Sequence, residues 1–116
     1  MAKAVINVNV RIVEDTIAVF DIVGEVNAFA ESALMGAYNE VTAKGAKAII
    51  LNFNGLEFMN SSGIGLIVTM LIRIQRQKQN LLAYGLSEHY QQIFELTRLN
   101  EAINIFEDEA QAIASL

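Results

Sequence analysis

The chain has 116 residues, 53% of them apolar and 18% charged, which suits one domain built around a single two-layer core. Its 13 acidic against 8 basic side chains give a formal net charge of −5, and this argues against nucleic acid or an anionic membrane as a partner. There is no cysteine and one histidine, so disulfides, thiolate chemistry and multi-histidine metal sites are excluded, and neither a metal nor a cofactor is expected.

Met1-Ala2-Lys3-Ala4 passes straight into a strand pattern without a signal-peptide apolar region. Ile6, Val8, Val10 and Ile12 alternate with polar residues, as in a half-buried strand. Glu14-Asp15 breaks the pattern and Thr16 to Val23 resumes it, which predicts a β-hairpin. Gly24-Glu25-Val26-Asn27 ends the second strand. Phe29, Ala33, Leu34, Ala37, Tyr38 and Val41 then recur at helical spacing, with Gly45 as the expected C-terminal cap. Ala46 to Phe53 is a nearly continuous apolar run, the mark of a strand buried on both faces.

A helix is predicted from near Gly63 to about Gln79, followed by a short strand at Leu81–Gly85. Its apolar core, Ile64 to Ile74, is too short for the about 20 residues that cross a bilayer, and the expected location is the cytoplasm. Ser87 is a good N-cap for a third helix carrying Ile93, Phe94, Leu96 and Thr97. Ala102 to Phe106 reads as a short strand, and Glu107-Asp108-Glu109 opens a last helix through Ala112, Ile113 and Leu116. The order ββαβαβα(β)α over residues 1–116 is that of a single α/β domain: a mixed sheet of four to five strands covered by about four helices.

The stretch Phe58-Met59-Asn60-Ser61-Ser62-Gly63-Ile64-Gly65-Leu66 carries the most chemistry. It sets two hydroxyls between an apolar strand and an apolar helix, where unpaired N–H groups and the helix dipole favour a cap, an anion or a phosphate. Asn60, Ser61 and Ser62 are each candidate caps. Gly63 and Gly65 either open the surface to a partner's backbone or allow tight helix–strand packing.

With Gly24-Glu25-Val26-Asn27, Ile49–Phe53, Ala83–Ser87 and Ile93–Leu99, this motif resembles the STAS domain family, and in particular the bacterial anti-sigma factor antagonists. The resemblance spans essentially the whole chain. It implies a non-enzymatic regulatory module that binds an anti-sigma factor which is also a serine/threonine kinase. It also implies phosphorylation of Ser61 by that kinase, which breaks the complex, and a metal-dependent serine phosphatase that restores it. Carried over by position, the partner-binding residues are Glu25, Asn27, Asn60, Ser61, Ser62, Gly63 and Gly65. The chain departs from the family where Asp is usual, at Asn60 and Asn27. Asparagine keeps the capping reach and loses the charge.

Other readings stand beside this one. A second is a STAS scaffold or sensory module that is not phosphorylated. A third is nucleotide binding or hydrolysis at the Asn60–Gly65 turn, which lacks the lysine and glycine spacing of a P-loop. The helix Ile64–Ile74 is apolar on more than one face. Ile64, Ile67, Val68 and Leu71 are expected on the sheet, with Leu66, Met70 and Ile74 to the side, either covered by neighbouring helices or free for a partner or a weak homodimer. His89 beside Glu88 reads as a surface histidine, and Arg73, Arg76 and Lys78 as a solvated helix end.

Overall fold

β1 (Ile6–Glu14) and β2 (Ile17–Val26) form the expected hairpin, paired antiparallel from Ile6 opposite Gly24 to Glu14 opposite Ile17. The computed structural model describes residues 5–116, so the expectation attached to Met1-Ala2-Lys3-Ala4 lies outside the described residues. β3 (Ala48–Met59), β4 (Asn80–Tyr84) and β5 (Asn104–Phe106) each join parallel to the strand before, in the order β1-β2-β3-β4-β5. The connections are α1 (Glu31–Ala43), α2 (Ser61–Arg76) and α3 (Glu88–Leu96), with α4 (Glu109–Ala114) after the last strand. Short 3₁₀ turns at Ala28–Ala30 and Leu99–Glu101 precede α1 and β5. The mixed five-stranded sheet and four α-helices among the described residues are the predicted architecture.

The helices divide unequally between the two faces of the sheet. Ala18, Phe20 and Ile22 of β2, Ile49, Leu51 and Phe53 of β3, and Leu81 and Ala83 of β4 meet side chains from α1, α2 and α3 in the main core. Phe20, Phe53 and Phe94 are fully buried there, each worth about 1.5–3 kcal/mol in burial. Phe53 meets Phe94 edge-on, with centroids 6.4 Å apart and planes at 81°, the favoured aromatic geometry. On the other face Ile17, Val19, Ala48, Ile50, Leu82 and Tyr84 form a smaller cluster closed by Ala112 of α4.

Several boundaries move. β3 runs on to Met59 rather than ending at Phe53, because β2 keeps pairing with it as far as Val26 opposite Met59. α2 begins at Ser61, not near Gly63, and stops at Arg76 rather than about Gln79. Its end is set by Lys78, which takes left-handed backbone (φ 57°), and by Gln79. The Gln79 amide donates to Thr42 Oγ1 (3.1 Å) and the Ala46 carbonyl (2.8 Å) while its Oε1 accepts from the Tyr38 hydroxyl (2.9 Å). The buried stripe of α2 is Gly63, Ile67, Met70, Leu71 and Ile74, so Met70 and Ile74 belong to the core, while Ile64 and Val68 are only partly buried. Phe29, expected among the apolar positions of the first helix, lies in the 3₁₀ turn and is 52% exposed. Gly45 caps α1 as predicted, with φ 89° and its N–H donating to the Thr42 carbonyl at 3.0 Å.

Candidate functional site

β2 and β3 finish side by side, and each chain then turns into a helical segment behind an asparagine. Asn27 is extended (φ −136°, ψ −169°), and its Oδ1 accepts from the Phe29 N–H at 2.9 Å. Asn60 repeats the arrangement at the head of α2 (φ −98°, ψ −176°), with Oδ1 accepting from the Gly63 N–H at 2.9 Å. The two turns are joined because the Asn60 N–H donates to the Val26 carbonyl at 3.3 Å. Of the three candidate caps, Asn60 is the one used. Ser62 therefore sits in the first turn of α2, not at its cap.

Capping by Asn60 leaves the hydroxyls of Ser61 and Ser62 free of that task, and both residues are exposed. Ser61 is the first residue of a helix with no acidic residue in its first turn and with Arg73 and Arg76 in its last. The dipole's positive end therefore meets no carboxylate from that turn.

The two glycines of the motif are not equivalent. A Cβ on Gly63 would lie 2.0 Å from the Val26 carbonyl oxygen and 3.0 Å from Met59 Cγ. Gly63 is thus a packing glycine, buried where α2 crosses the end of β2. Gly65 is exposed, and a Cβ there would meet nothing within 4 Å.

The corner brings Asn27, Asn60, Ser61, Ser62 and Gly63 together, with Gly65 further along α2. Glu25 is oriented differently. It pairs with Phe58 and lines a shallow depression with Val5, Asn7, Val23, Gly24 and Glu57. Three residues of the corner carried no sequence signal for this role. The Tyr90 hydroxyl of α3 accepts from the Met59 N–H at 2.9 Å and fixes the strand end just before the cap. Phe29 and Phe58, 52% and 51% exposed, add apolar surface within the first turn and on the strand that leads into the second. His89 and Glu88 lie exposed in the first turn of α3.

The strongest charge cluster lies elsewhere, between the sheet and α4. Arg11 donates through Nε to Asp21 (2.6 Å) and through Nη2 to both Asp21 (2.9 Å) and Glu109 (2.6 Å). Asn52 Nδ2 also donates to Asp21 (2.8 Å), and the Tyr84 hydroxyl donates to Glu109 (2.9 Å). Hydrogen bonding from Arg11 holds Asp21 down at about 2 and lowers Glu109 as well. Burial first, then Glu109, pushes Tyr84 up to about 12. Asp21, Asn52 and Tyr84 are register partners across three strands, so this row is a clamp that ties α4 to the sheet. Among the described residues, no three His, Cys, Asp or Glu side chains are grouped to hold a metal ion, and no helix is long and apolar enough to cross a membrane.

The family model described as STAS domain matches residues 7–112. The anti-sigma-B factor antagonist of Listeria monocytogenes is 26% identical over 102 residues, spanning 85% of this chain and 89% of that protein. Among solved structures, an anti-sigma factor antagonist from Mycobacterium paratuberculosis superposes with a TM-score of 0.80 at 18% identity, over 98% of this chain and 97% of the other. The Bacillus cell fate determinant SpoIIAA in its phosphorylated form gives a TM-score of 0.74 at 21% identity, over 94% and 98%.

Proposed function

The chain belongs to the STAS domain family, and from that premise we propose that it is a non-enzymatic regulatory module, the antagonist of an anti-sigma factor. It binds an anti-sigma factor that is also a serine/threonine kinase through the corner formed by Asn27, Asn60, Ser61, Ser62 and Gly65, with Glu25 at the margin. The kinase transfers the γ-phosphoryl group of ATP to Ser61 Oγ and takes up the hydroxyl proton. ADP leaves, and a metal-dependent serine phosphatase later hydrolyses the phosphoserine with water, releasing inorganic phosphate and restoring the Ser61 hydroxyl. The relative from Listeria monocytogenes, an anti-sigma-B factor antagonist matched over 85% of this chain, supports this role.

The observation that carries the switch is the placing of Ser61: exposed, first in α2, and relieved of capping by Asn60. A phosphate there adds about −1.5 to −2 charge. It faces the positive end of a helix dipole, an interaction worth about 0.3–1 kcal/mol. The domain therefore gains slightly in stability, and the cost of the phosphate falls on the bound partner. The absence of charge at Asn60 lowers repulsion toward the incoming phosphate. It also removes an acidic recognition feature usual in the family.

The test is incubation of the chain with its cognate kinase and ATP, read by intact mass. One phosphate on the wild type and none on Ser61→Ala is the expected result. An unmodified wild type beside an active kinase would replace the switch with the second reading, a STAS scaffold that works without phosphorylation. The neutral caps Asn27 and Asn60 are the observation that favours that reading.

A further inference from the structure

β1 is one edge of the sheet, and its outer side can be worked out residue by residue. The Glu25 N–H donates to the Val5 carbonyl at 2.9 Å. In an antiparallel ladder hydrogen-bonded pairs alternate with non-bonded ones, and Val5, Asn7 and Asn9 face β2 in the register that pairs Ile6 with Gly24. The main-chain N–H and C=O groups of Ile6, Val8 and Val10 therefore point away from the sheet.

Natural edge strands are closed to further pairing by lysine, proline, a bulge or a charge. β1 keeps such devices at its hairpin end, with a register shift between Ile12 and Glu14 and charges at Arg11 and Glu14. Val5 to Val10 has none of them. Ile6, Val8 and Val10 pack on the main core from one side and are only partly buried. The far edge, β5, is three residues long and offers little to pair with.

We infer that β1 is a self-association edge, on which a second copy of this chain lays its own β1 antiparallel across a two-fold axis at Val8. In that register Val8 faces Val8, Ile6 faces Val10, and Asn7 faces Asn9. The outward groups of both strands exchange about six main-chain hydrogen bonds. Charge selects this edge for a like copy. Two chains of net charge −5 repel over most approaches, but Val5–Val10 is uncharged. Arg11 falls opposite Val5 and is already bound to Asp21 and Glu109. A junction of one strand on another buries less than the roughly 1,200–2,000 Å² of a standard stable interface, so the dimer is weak and concentration-dependent.

Sedimentation velocity on the full chain, from about 10 µM to about 1 mM, is expected to show reversible dimerisation. Val8→Lys places two like charges on the axis, and Val8→Pro removes the outward N–H without removing a bond to β2. With native circular dichroism, each should weaken association at least about tenfold. Amide exchange in the wild type needs no variant: Ile6, Val8 and Val10 should gain protection as concentration rises. A wild-type chain that stays monomeric overturns the inference. So does a dimer that persists in both folded variants, or one that forms while these three amides keep a constant exchange rate.

Discussion

One methyl group separates the demands of the two motif glycines. At Gly63 it would press on the Val26 carbonyl from 2.0 Å, so Gly63→Ala must push α2 off the end of β2. The expected loss is about 1–3 kcal/mol or more, in the range of overpacked cores. At Gly65 the same methyl enters open space, and Gly65→Ala should gain up to about 1 kcal/mol from helix propensity. Urea unfolding of the two variants checks the contrast, and equal effects would contradict it. If Gly65 also admits a partner's backbone, its alanine variant will be more stable and bind less well. The sequence showed a capped helix start with two hydroxyls, but not which residue caps. That choice depends on Asn60 being pinned by the Val26 carbonyl, a contact between segments distant in the chain. Tyr90 carries no local signal for the same reason, since its task is set by the end of a strand on another element.

Elements were legible where the pattern is local. The alternation of β1, the apolar run of β3, the Ser87 cap and Gly45 all come from neighbours in sequence, and they appear where expected. The length of β3 did not, because Asn54 to Phe58 loses the apolar signal while its pairing with β2 continues. The α4 clamp was likewise hidden: Arg11, Asp21 and Glu109 look like separate surface charges until the sheet aligns them. Asp21 and Glu109 bind protons less tightly folded than unfolded. Their contribution is complete above the ordinary values of 3.8 and 4.5, and Asp21's is lost as pH falls through about 2. Tyr84 shifts the other way, contributing below its ordinary value of 10.0 and losing that contribution as pH climbs toward about 12. Denaturant midpoints should therefore decline both below about pH 4 and above about pH 10. Glu109→Gln should cost about 1 kcal/mol at neutral pH, after allowing for partial exposure, and should flatten the acid limb. An acid limb as steep as that of the wild type would mean that Glu109 does not carry it.

At the scale of the molecule, three helices cover one face of the sheet while the six-residue α4 closes the other. The serine corner lies at the end of the thick side, on contacts of Asn60, Val26 and Gly63 that do not involve the serine hydroxyls. Ser61→Asp is accordingly expected to keep the wild-type circular dichroism spectrum and a thermal midpoint no lower than wild type and, on the proposed role, to lose the kinase partner. A collapsed midpoint would show that the corner is structural first. The thin side has a different consequence, in the cell rather than at the site. Arg11 and Glu109 are 98 positions apart, and α4 leaves the ribosome after everything it covers. Until then Ile17, Val19, Ile50 and Leu82 lack the helix that closes their face of the sheet. Chaperone engagement of the nascent chain should centre on that face and end when Glu109 reaches Arg11.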